Sequence, residues 1–168
     1  MKTNITNLIN LVAEDERKLN VLSRQLSEYA YTITTKELDG RENIIEDCKA
    51  EFDEVFKQCN ELTERISKMK KIIYQKNNEL KLPNGESIQD ALVNLNILRK
   101  KLVVYNNLSS YKSSNRRITE VNNSYFECRN LNFDMKELKN EIDKLNEEIQ
   151  QIEFEISKLN SIEFEINV

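Results

Sequence analysis

A chain of 168 residues with two glycines and one proline has few places for the tight turns an all-β fold demands, which points to a mainly helical protein. It has no histidine, which removes the commonest metal ligand, the usual general base at neutral pH and every Ser/Cys–His pair; no enzyme, metal or cofactor chemistry is expected. The net charge of −4, with both signs mixed, implies no obligate polyanionic partner, and two isolated glycines leave no phosphate-cradling loop.

The first residues, Met1 to Asn7, run straight into an amphipathic pattern and lack the continuous apolar core of a signal peptide. No stretch is long and apolar enough to span a bilayer, so a cytoplasmic location is expected. From Ile5, apolar residues recur in alternating steps of three and four: Ile5, Leu8, Val12, Leu19, Leu22, Leu26, Tyr29 and Ile33. Asp15 breaks the series once. The spacing predicts a helix over roughly residues 3–34, and Thr34, Thr35 and Asp39-Gly40 read as a loop. A second helix, roughly 41–80, is predicted by Ile45, Cys48, Phe52, Val55, Cys59, Leu62, Ile66, Met69 and Ile73. Its acids gather at the N-terminal end and its bases toward the C-terminal end, where each opposes the helix dipole. Cys48 and Cys59 fall on this seam and read as small hydrophobes in a reducing compartment; with Cys128 they are odd in number and lack metal-ligand spacing.

Pro83-Asn84-Gly85 is the strongest turn signal in the chain, and Ser87 with Asp90 forms a near capping box. A third helix over 87–107 follows through Ile88, Ala91, Leu95, Leu98, Leu102 and Tyr105. Residues 108–133 lose the helical period and form an insert, either irregular or a small β-hairpin from Ile118–Val121 and Tyr125–Leu131 with Asn122 and Asn123 at its turn. Asp134 with Glu137 opens a fourth helix over 134–160. In the tail, 161–168, Ile162, Phe164, Ile166 and Val168 alternate with polar residues, the period of an extended segment.

These elements predict a single helical domain: an antiparallel four-helix, coiled-coil-like bundle with an insert before the last helix. The third helix is much shorter than the second, which would leave part of the second helix's seam uncovered; a homo-oligomer through helix seams, or a protein partner, is expected to cover it. Arg99, Lys100, Lys101, Lys112, Arg116 and Arg117 lie in a stretch without acids, interleaved with Tyr105 and Tyr111. Cations beside stacking rings are one way to hold an anion or nucleic acid. The plainer reading is a dipole-complementing helix end followed by a charged loop, and the overall acidity sets nucleic acid low as an expected partner. Glu147 with Glu148, and Glu153 with Glu155, read as a solvated helix face rather than an acid–base pair. No catalytic, cofactor-binding or metal-ligating residue is assigned.

The segment from Leu82 to Leu102, with Gly85, Ser87, Ile88, Asp90, Ala91 and Leu92 in a Gly-x-Ser/Thr-Ile/Leu-x-Asp-Ala-Leu run, resembles the small bacterial helical proteins that carry the name septicolysin. Asn77-Asn78 and Leu95-Asn96 depart from the Thr-Asn and Arg-Asp of that pattern. The resemblance implies the same helical fold and, through the name, a toxin or membrane-lytic activity. The reading of the residues themselves is a non-enzymatic, self-associating helical scaffold or interaction protein. The lytic protein stands as the alternative and a nucleic-acid-binding module as the third.

Overall fold

A short strand β1 (Lys2–Thr3) ends at Asn4, whose side-chain Oδ1 accepts the Asn7 backbone N–H at 2.8 Å and so caps helix α1 (Ile5–Glu28). The computed structural model describes residues 2–121 and 123–166; Asn122 of the expected turn and Val168 of the alternating tail lie outside the described residues. After α1 come β2 (Ile33–Lys36), β3 (Glu42–Glu46), α2 (Lys49–Glu79), α3 (Ile88–Ser109), β4 (Ser114–Thr119), β5 (Ser124–Arg129), α4 (Met135–Asn160) and β6 (Phe164–Glu165). The described residues are mostly helical, with antiparallel strand pairs β1–β6, β2–β3 and β4–β5. They divide into two compact units, Met1–Glu79 with Asn160–Val168, and Leu80–Leu159.

In the first unit α1 and α2 lie antiparallel, and their facing seams meet at one end. Leu8 and Val12 from α1, Ile66 and Met69 from α2, and Ile166 from the tail form a buried cluster, flanked by Leu11, Leu62 and Phe164. Each large side chain withdrawn from water there contributes roughly 1.5–3 kcal/mol. The tail reaches this cluster because Lys2 pairs with Glu165 and Thr3 with Phe164, while the Lys76 ammonium sits 5.3 Å from the Phe164 ring centre.

Between α1 and α2 the structure departs from the sequence expectation. The predicted helices 3–34 and 41–80 end and begin short of the loop, and residues 33–46 form a hairpin instead. The physical reason is local. Ile33, Thr34, Thr35, Ile44 and Ile45 are β-branched and favour strands; Ile33 pairs with Glu46, Thr34 with Ile44 and Thr35 with Asn43, and Ile45 is the extra residue where the register shifts. Gly40, at φ +88°, closes the turn, with its N–H on the Glu37 carbonyl at 2.9 Å. Ile33 and Ile45 are therefore exposed strand residues, not seam residues, and Cys48 stands half-buried before α2 begins. Cys59 is buried on the seam as expected.

The second unit opens on the Pro-Asn-Gly turn. The Gly85 N–H reaches the Leu82 carbonyl at 2.9 Å and the Leu82 N–H the Glu86 carbonyl at 2.8 Å. Gly85 holds φ +88°, a region costly to any residue with a Cβ. Ser87 then caps α3: its Oγ accepts the Asp90 N–H at 3.1 Å and its own N–H donates to Asp90 Oδ2 at 3.3 Å. Those contacts hold the Asp90 carboxyl below its ordinary range. Ile88, Ala91 and Leu95 of α3 and Leu145, Ile149 and Ile156 of α4 are buried. The insert is a hairpin, paired from Ser114 with Arg129 to Thr119 with Ser124. Asp134 accepts the Lys136 and Glu137 N–H groups at 2.7 and 3.0 Å and so starts α4. Each unit thus repeats one order: helix, β-hairpin, helix.

Candidate interaction surfaces

Asp15 holds a seam position of α1 and is buried to 1% exposure in an otherwise apolar stripe. Arg65 of α2 places Nε 3.1 Å from Asp15 Oδ2, yet off the line of a hydrogen bond, so the two form an ion pair with Oδ2 left unsatisfied. Glu16 with Lys70, at 2.6 Å, adds an exposed second pair between the same helices. Beyond Arg65 the seam opens into a groove of about 620 Å³ with Val21 exposed and Leu22 and Leu62 half-buried in its walls and Lys18, Gln58 and Glu61 also lining it. Sequence reasoning saw Asp15 only as an interruption. The signal that finds it is the position itself, because an acid in register with eight apolar seam residues must be buried with a partner or break the helix pair.

The basic stretch does not converge. Arg99 donates to Glu153 of α4 at 2.5 Å, so one of the paired carboxylates serves an ion pair and one of the six cations is already engaged. Glu155 accepts from Gln151 at 2.7 Å. Lys101 lies 5.3 Å from the Tyr105 ring centre. Arg116 and Arg117 are neighbours on β4, so their side chains leave opposite faces of the ribbon, Arg116 across from Glu127 and Arg117 across from Phe126. Lys100 and Lys112 are exposed. The six cations are thus spread over the end of α3, the loop after it and both faces of the β4 ribbon.

Two apolar surfaces were not foreseen. On α3, Val93, Ile97 and Val104 line up at helical spacing on the side away from Ile88, Ala91 and Leu95, and are 52%, 58% and 55% exposed. On the hairpins, Ile44 is 65% and Phe126 67% exposed, and nearly every strand residue of both is open to solvent. Partial burial, with the Glu46 carboxylate nearby, pushes the Cys48 thiol above its ordinary range, which works against a reactive thiolate there. Among the described residues no group of three or more His, Cys, Asp or Glu side chains is placed to hold a metal ion, and no helix is long and apolar enough to cross a membrane.

The model of a family of unknown function, DUF6847, matches residues 45–163, a span that takes in α2, the whole second unit and the start of the tail. No curated protein matches the chain. Among solved structures, the crystal structure of a functionally unknown conserved protein from Corynebacterium diphtheriae is similar over 98% of this chain and 100% of that one, with a TM-score of 0.66 and 21% identity. At that identity the likeness speaks for the fold alone. These matches correct the septicolysin resemblance: the family and the structural neighbour are both of unknown function and neither points to that name. The Gly85–Leu92 run that suggested it is a turn followed by a capping box, a combination that any helix start can use.

Proposed function

Because the chain belongs to the family of unknown function DUF6847, we propose a role from its surfaces: a non-enzymatic helical scaffold or interaction protein that self-associates, acting in the cytoplasm. The observation that carries this is the second apolar stripe of α3. A helix that buries one side and also presents Val93, Ile97 and Val104 to water is apolar on two faces. Helices of that kind are covered on both sides in their working state. The four-helix, coiled-coil-like bundle expected from the sequence belongs to the same proposal; its support is that all four helices carry buried seam residues.

Sedimentation velocity and light scattering over about a hundredfold range of protein concentration test the reading, because mass action populates an assembly as the concentration rises. A mass that climbs with concentration in the parent, and less so in Val93→Lys with Ile97→Lys, is the expected outcome. A monomer mass throughout would overturn it.

A further inference from the structure

Each unit has a hairpin-bearing end, and the two carry opposite charge. Residues 33–56, covering β2, β3 and the start of α2, hold eight acids against three bases. Residues 99–130, covering the end of α3 with β4 and β5, hold seven bases against two acids. Both ends are also apolar where they are exposed, through Ile44 and Ile45 on the first and Tyr125 and Phe126 on the second. A two-stranded hairpin standing in water is only marginally stable, and its outer edges keep unpaired backbone groups. Each unit holds one such hairpin, with no third strand beside it among the described residues.

We propose that the acidic hairpin end of one copy docks on the basic hairpin end of a second copy, and that this contact is a second surface of the self-association beside the α3 stripe. The inference rests on the self-association reading above and adds this surface to it. Opposite charge steers the two ends together and disfavours like ends meeting. The apolar side chains on the two faces supply what the ion pairs do not, since exposed pairs contribute only about 0–1 kcal/mol each. Each copy carries both an acidic and a basic end, so the contact is open to it twice, once in each role.

The test uses two full-length variants. Glu37→Lys, Glu46→Lys, Glu51→Lys and Glu54→Lys together make both ends of one variant basic, and Lys100→Glu, Lys112→Glu, Arg116→Glu and Arg117→Glu together make both ends of the other acidic. Circular dichroism first confirms that each keeps its helices. The parent is expected to associate, and more weakly as salt rises. Each variant alone should associate on the order of tenfold more weakly or worse. An equimolar mixture of the two should recover association, because every contact between the two variants again joins opposite charges. A parent that stays monomeric removes the self-association reading and this interface with it. A parent that associates while both variants associate equally well, or while the mixture fails to recover, leaves self-association standing and overturns this interface. Retention of the parent on heparin, lost in the variant whose two ends are both acidic and unaccompanied by any rise in mass, would assign the basic end to a polyanion and overturn the proposal as well.

Discussion

Removing the Arg65 guanidinium tests whether the α1–α2 pair depends on a buried charge. The Asp15 side chain is 2% exposed and that of Arg65 49%, so the substitution Arg65→Met strands a carboxylate in an apolar seam while the lost cation came from a half-solvated position. Breaking a fully buried pair from one side costs roughly 3–5 kcal/mol. Water entering along the exposed Arg65 side lowers this to about 2–3 kcal/mol. The opposite substitution, Asp15→Leu, removes the stranded charge and restores the seam. Burying the leucine contributes roughly 1.5–3 kcal/mol, and Arg65 swings into solvent, so the variant should gain about 1–3 kcal/mol. Urea unfolding followed by far-ultraviolet circular dichroism, at several protein concentrations to separate folding from assembly, reads both changes. An Arg65→Met variant within about 0.5 kcal/mol of the parent would refute the reasoning, since surface substitutions lie in that range. So would an Asp15→Leu variant as unstable as Arg65→Met.

Leu8, with no exposure at all, sits at the centre of the first unit's core; Leu8→Ala should cost about 2–5 kcal/mol in the same assay, and a neutral result would show that the α1–α2 seam is not closed there. Gly85→Ala meets no neighbouring atom, so its cost should be the backbone strain alone, about 1–2 kcal/mol, whereas Asn84→Ala, beside it, should cost less. Glu14, Asp39, Glu79, Asp90 and Glu141 are each held below the ordinary carboxylate range: by Lys18, by the Arg41 N–H and side chain, by Lys76, by Ser87 and by Lys144 in turn. A depressed folded value contributes stability that is present above the unfolded value and lost as pH falls through the folded one. Midpoints of urea unfolding should therefore hold steady down to about pH 5 and drop below about pH 4, and a rise in that window would contradict the assignment.

Where the pattern of the chain had a single physical cause, it read correctly. The Ser87–Asp90 box and the Asp134 start are side-chain chemistry at fixed offsets, and the structure shows both. The alternation of Ile162, Phe164 and Ile166 has the period of a strand, and Phe164 and Ile166 do belong to or border one, although its partner β1 lies at the far end of the chain. The first hairpin stayed hidden because Ile33 and Ile45 happen to continue the three-four spacing of their neighbours, so a strand residue counts as a seam residue. The second hairpin was visible only because no such coincidence occurs between Ser109 and Leu131. The buried Asp15 needed a partner fifty residues away, and no local window contains Arg65. The charge opposition of the two ends was half legible: the acid-free stretch stood out, while its acidic counterpart passed for the favourable start of a helix.

The pairing of β1 with β6 has a consequence for how the protein is made. Ile166 belongs to the same cluster as Leu8 and Val12, so a chain emerging from the ribosome carries α1 through the synthesis of all the residues between them before the one that completes that helix's core appears. The second unit lies wholly between the two parts of the first in sequence, and its segments are all synthesised before that tail. Among these four helices, α1 is therefore expected to be the last to gain protease resistance, although it is translated before the other three.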